Sequence, residues 1–336
     1  MEQSTSKEHV FEYLNSTDFT QVSFSAFQII AAKISAILII TITIPMSTLG
    51  IIFNMAIMIL IPKCKTIPIN AKLYYVVICI FELFLLLEFH ILTLIPWGIA
   101  KFTEEKILLQ FFESMSPVTC SINRSLIRIW DGASLGITFA FAVERAMVIK
   151  FPFQARKLTV RKNLCFIFGI IFFYCLGGFI TSRSQYLQKL EGFPYRFLCT
   201  YRSESYFVIM TLCFDSMIYI PNIMILIVTL NIMRMLKERI ETRRKISMQK
   251  SLKISKPEII TIKILIVMAI IRAFQLIFFA PLNFIAAIES GTGGRLGSTM
   301  LAFFGIFTIF WDPILFSFYF YKIVEFRKKV LWICLR

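Results

Sequence analysis

A chain of 336 residues that is 57% apolar, carries 36 phenylalanines and has a formal charge of +16 cannot cover a water-soluble core with polar side chains. An ordinary globular domain is therefore excluded. What remains is a polytopic membrane protein, built of helices because no period-two alternation points to a barrel and lipid offers the backbone no other partners.

The polar stretch 1–25 comes first and reads as an extracellular tail with one glycosylation sequon at Asn15-Ser16-Thr17. The apolar run behind it is too long for the core of a cleavable signal peptide, so none is expected. Seven apolar spans then follow, approximately 33–61, 73–95, 116–149, 164–180, 206–233, 259–288 and 296–321. Each is long enough to cross a bilayer, which takes about 20 residues. Lys and Arg number three in 63–72, five in 150–162, ten in 233–263 and five in 321–336, together 23 of the 36. The positive-inside rule then predicts an external N-terminus and a cytoplasmic C-terminus. The basic loops fit anionic inner-leaflet lipid and an acidic cytosolic partner, and nucleic acid is not expected.

The second span holds Glu82, Glu88 and His90, and the first holds Asn54. Intramembrane acids are expensive and mark partners, pathways or switches. The third span is the most informative. Cys120 is followed 25 residues later by Arg145, beside Glu144, and seven residues after that by Pro152. On one helix Cys120 and Arg145 stand roughly 37 Å apart, a little more than the ~30 Å hydrocarbon core. A cysteine thus sits at one membrane face and an ionic pair at the other. Between them lie Arg124, Arg128, Asp131 and Ser134.

Further on, Pro221 and Pro281 interrupt the fifth and sixth spans, where proline frees backbone carbonyls and forms a hinge. Asp312-Pro313-Ile314-Leu315-Phe316 stands in the seventh. After it, residues 322–336 alternate basic and apolar side chains at helical spacing, the pattern of a short helix lying on a membrane surface. The eight cysteines form no CxxC and there are two histidines, so neither a metal site nor a cofactor is expected. No span offers a Ser/His pair or an ordinary aspartyl dyad, and an enzyme is not expected either.

The ladder Cys120, Glu144-Arg145, Pro152 resembles the third helix of rhodopsin-like (class A) G-protein-coupled receptors, and Asp312-Pro313 resembles the Asn-Pro motif of their seventh. The resemblance implies an all-α membrane protein, a seven-transmembrane helix bundle over 26–321 with a short amphipathic cytoplasmic helix over 322–336, in the plasma membrane. It implies a disulfide from Cys120 to Cys199 and a G-protein switch at Glu144, Arg145 and Pro152. It also implies a central polar cluster of Asn54, Glu82, Ser134, Asp312 and Pro313. Two acids in such a cluster, Glu82 and Asp312, would share Na⁺ or a proton.

Departures from the pattern mark a divergent branch. Phe279 stands two before Pro281 where a Trp is usual, Thr229 and Phe316 replace two tyrosines, and Ala146 follows the Glu-Arg pair. Ile127 stands where amine receptors carry an aspartate, which disfavours a monoamine. Arg124, Arg128, Asp131, Glu88 and His90 are the ligand-pocket candidates, and arginines there suit an acidic group or a peptide terminus. The alternative role for Arg128 is to pair with Asp131 or Glu88 and stiffen the bundle. The implied function is transduction of extracellular ligand binding to a heterotrimeric G protein. An invertebrate-type neuropeptide receptor is the first reading and a small-molecule chemosensory receptor the second. A transporter or channel is the remote alternative, because no inverted repeat or polar lining is visible.

Overall fold

The computed structural model describes residues 37, 41–42, 44–94, 116–155, 157–182, 185–189, 197–201, 217, 219–238, 260–271, 273–274, 277, 314, 316–317, 320–321, 323, 326–328 and 330–331. Side chains at 89–90, 93–94, 124, 181–182 and in the two strands lie outside this description. So do Asn15, Phe279, Pro281, Asp312 and Pro313, together with the side chains of His90, Arg124 and Cys199.

Helix dominates. In chain order the elements are α1 (Ile44–Leu60), α2 (Ile69–Leu85), a π-helical continuation (Leu86–Leu94), α3 (Pro117–Lys150), α4 (Pro152–Ala155) and α5 (Val160–Ser182). Strands β1 (Gln185–Lys189) and β2 (Phe197–Tyr201) follow, then α6 (Tyr219–Glu238) and α7 (Ile260–Ile271). Among the described residues, four helices are long and apolar enough to cross a membrane: Ile69–Glu88, Pro117–Lys150, Val160–Ile180 and Tyr219–Glu238. The shorter α1 and α7 are also apolar.

Local chemistry sets the ends of α3. Ser116, in extended conformation, accepts from the Thr119 amide at 3.0 Å while Thr119 Oγ1 accepts from the Ser116 amide at 2.9 Å. This reciprocal capping box satisfies two donors that a helix start otherwise leaves open. Pro117 at the first helical position costs nothing, since its missing N–H would have had no partner. At the far end Pro152 forces the preceding Phe151 out of helical conformation (φ −129°, ψ 67°), and Lys150 in the last turn complements the dipole. The 34 residues between run about 51 Å.

The central position of α3 shows in its burial. Of its apolar window 72% is buried, against 22% for α5 and for α6. Its C-terminal half packs Phe141 between Tyr74 (ring centroids 5.5 Å apart) and Tyr75 (5.1 Å) of α2, all three buried. Against α5 it presents Gly132 and Gly136 to the Tyr174 ring. A Cβ on Gly132 would stand 2.3 Å from Tyr174 Cδ1, so only glycine allows this approach. Hydrocarbon provides no hydrophobic drive between helices, and such close backbone packing is what holds them together.

Two features differ from the sequence expectation. The first is the antiparallel pair β1–β2, with Leu187 opposite Cys199, which packs on α3. It is a small departure from an all-α chain, formed outside the apolar spans from segments too short to carry a period of their own. The second is where helices begin. α2 starts at Ile69 and α5 at Val160, both four residues before the apolar runs, because a first turn that carries cations is helical as readily as an apolar one. Near the C-terminal end, the Arg327 amide bonds the Ile323 carbonyl at 3.0 Å, and Phe326 is fully buried with its ring edge-on to Phe316.

Candidate functional site: polar ties along the central helix

Three polar ties join α3 to its neighbours at successive depths. At the end near Pro152, Arg145 and Glu144 are 3% and 4% exposed. Arg145 Nη2 donates to Glu144 Oε1 at 2.6 Å and Nε donates to Oε2, a two-pronged charge-assisted pair. The remaining arm reaches across to α7, where Nη1 donates to Thr261 Oγ1 at 3.4 Å. The guanidinium carbon also stands 5.5 Å from the centre of the Phe141 ring. A buried charge is tolerated only when paired and hydrogen-bonded, and this arrangement supplies both. Pro152, the third residue of the expected switch, is exposed at the start of α4.

Midway along, Ser134 Oγ donates to Glu82 Oε1, joining α3 to α2. Ser134 is fully buried. Asn54 on α1 is also buried, and its Nδ2 finds no hydrogen-bond partner among the described residues. Beside it Phe53 stacks on Phe316 at 4.1 Å and 10°. The segment one turn after Asp312 therefore lies against α1 next to Asn54.

Toward the Cys120 end, Trp130 Nε1 donates to Glu88 Oε2. The indole stacks on Phe84 (4.8 Å, 20°) and leans on Phe81 (5.6 Å). Glu88 is buried and belongs to the π-helical segment, a geometry that recurs at functional sites. The sequence expectation set Glu88 beside Arg128 or a ligand; Trp130 is a partner that it did not include. Trp130 went unnoticed in the sequence because an aromatic in an apolar span carries no signal of its own. Arg128 and Asp131 are half-buried on the same stretch of α3.

Cys120 is fully buried and disulfide-bonded. Cys64, Cys79, Cys165 and Cys175 are not in disulfides, which leaves Cys199, Cys213 and Cys334 as its possible partners. Among the described elements, β2, which carries Cys199, packs on α3. On α6, Pro221 is half-buried, and Thr229 is buried with its hydroxyl lacking a hydrogen-bond partner among the described residues. No group of three His, Cys, Asp or Glu able to hold a metal occurs among the described residues.

The arrangement has the character of a relay. Two ties link α3 to α2 and its π-helical continuation, and the third links it to α7. Fold and site thus define a helical protein with several membrane-length helices organised around α3. Compared with known proteins, the chain matches no family model and no curated protein. The rhodopsin-like resemblance therefore rests on the chain's own motifs.

Proposed function

We propose that this chain is a rhodopsin-like receptor with seven transmembrane helices, set in the plasma membrane with its N-terminus outside, that passes extracellular ligand binding to a heterotrimeric G protein. The ligand class proposed first is a neuropeptide. The observation that carries the reading is the buried Glu144–Arg145 pair at one end of the central helix, bonded across to Thr261 of α7. A bidentate pair that also grips a second helix is suited to hold one arrangement and release another.

The mechanism is a shift between two populations. Ligand contacts in the outer half, around Arg124, Arg128, Asp131, Glu88 and His90, favour a state in which α6 and α7 move away from the Arg145 end of α3. Moving such an equilibrium from 1:99 to 99:1 takes about 5.5 kcal/mol. One neutral-acceptor hydrogen bond contributes about 1 kcal/mol, so the Thr261 contact is one restraint among several. The disulfide of Cys120, with Cys199 as proposed partner, would hold the β1–β2 hairpin over the outer end. Asp312 would complete the polar cluster of Asn54, Glu82 and Ser134, and the two acids would then share Na⁺ or one of them would hold a proton.

The test is a screen of neuropeptides and small metabolites on cells expressing the chain with a promiscuous G protein, read by second-messenger release. A peptide response that disappears in Arg145→Ala at unchanged surface expression supports the reading. Responses to small metabolites alone move the ligand class to chemosensory. A full response from Arg145→Ala overturns the switch.

A further inference from the structure

The basic face around the starts of α2 and α5 carries a more specific message than general attraction to a membrane. Segments 61–72 and 150–163 contain eight Lys and Arg and no acidic residue. Asn70 Nδ2 donates to the Leu158 carbonyl at 3.2 Å, which brings the two helix starts side by side. Lys157, Arg161 and Lys162 are all exposed there. Arg161 and Lys162 occupy the first turn of α5, which holds no acid to offset them. The helix dipole disfavours cations at that end. Both penalties are relieved by one bound anion.

What lies below the cations decides which anion. Lys162, Phe166, Gly169 and Phe173 follow each other at helical spacing on one exposed face of α5. Phe166 and Phe173 are 55% and 53% exposed, and Phe172 beside them 70%. Between these two residues Gly169 leaves a notch in the row of side chains only, open to its surroundings, since a Cβ placed on it would meet nothing within 4 Å. The notch stands about 10 Å along the axis from Lys162. Cations at one end of an exposed apolar helix face match a molecule with a charged head and a hydrocarbon tail. An acidic protein segment would use the cations and ignore the apolar face.

We infer that α5 carries a seat for an anionic phospholipid of the adjoining leaflet, its phosphate headgroup on Lys157, Arg161 and Lys162 and an acyl chain over Gly169 between Phe166 and Phe173. The seat needs only that α5 crosses the membrane, and stands whether or not the chain signals through a G protein.

The test uses the full chain purified into phosphatidylcholine nanodiscs, with fluorescent phosphatidylinositol 4,5-bisphosphate as the probe. Energy transfer from a dye on the chain reads occupancy. Three variants are compared: Arg161→Gln/Lys162→Gln, Gly169→Leu, and the control Arg234→Gln/Lys237→Gln, whose cations are exposed on α6. The seat predicts about fivefold weaker binding for each cation removed from α5. It also predicts clear loss in Gly169→Leu, which puts a side chain into the notch, and little change in the control. Equal losses in the α5 and α6 charge variants would reduce the effect to diffuse surface charge and overturn the seat. Unchanged binding in Gly169→Leu, with full displacement of the probe by a soluble poly-glutamate peptide, would assign the patch to an acidic protein instead.

Discussion

Arg145 and Thr261, 116 residues apart in the chain, are joined by a hydrogen bond from the guanidinium Nη1 to the threonine hydroxyl. The arginine keeps its other two arms on Glu144, so the bond to α7 can break without stranding the charge. That division of labour separates a stabilising pair from a releasable contact.

Thr261→Val removes the releasable contact and preserves the pair. With about 1 kcal/mol lost from the resting arrangement, ligand-independent second-messenger output is expected to rise by up to roughly fivefold. Basal output equal to the parent's would show that the contact restrains nothing.

The pair itself is predicted to be asymmetric under substitution. Glu144→Leu leaves a buried guanidinium uncompensated and costs about 3–5 kcal/mol, whereas Glu144→Leu/Arg145→Met replaces both charges with apolar volume and costs far less. Thermal unfolding in detergent is the measurement. A double variant less stable than the single would contradict the assignment of a buried ion pair.

Two glycines make opposite predictions. Gly132→Ala drives a methyl into the Tyr174 ring and forces α3 and α5 apart, with an expected loss of about 1–3 kcal/mol. Gly169→Ala adds a methyl where nothing stands and, with the better helix former in place, is expected to raise stability by up to about 1 kcal/mol. Comparable melting losses in the two would mean that α3 and α5 are not held at this spacing.

If Cys120 is bonded to Cys199, the variants Cys120→Ser and Cys199→Ser should lose surface ligand binding to the same degree, with the double variant no worse than either. Additive losses would mean a different partner, and Cys213→Ser then becomes the informative substitution.

Much of this was legible in the chain because its signals are local. Ser116-Pro117 and Phe151-Pro152 bracket α3 within a residue of its ends, and a Glu-Arg pair inside an apolar span had to find partners. The Ser134–Glu82 tie was reached through the resemblance, since its members lie 52 residues apart. Thr261 and Trp130 escaped because a threonine or tryptophan in an apolar helix has no signature until the opposing helix is known. The starts of α2 and α5 were placed late for a related reason. Hydropathy reports where the hydrocarbon ends, while backbone hydrogen bonding and the Thr159 hydroxyl, which accepts from the Lys162 amide, carry helix past that level.

The π-helical turn pattern of Leu86–Leu94 bears on how this protein tolerates change in length. Such a ladder holds a surplus residue relative to an ordinary helix. Deleting one residue inside it would let the backbone close as α-helix with every hydrogen bond kept, while a deletion within Ile69–Leu85 would rotate Glu82 away from Ser134. A one-residue change of length is thereby best absorbed at that end of the second helix, where it re-aims Glu88 and the chain beyond without disturbing the ties nearer Arg145.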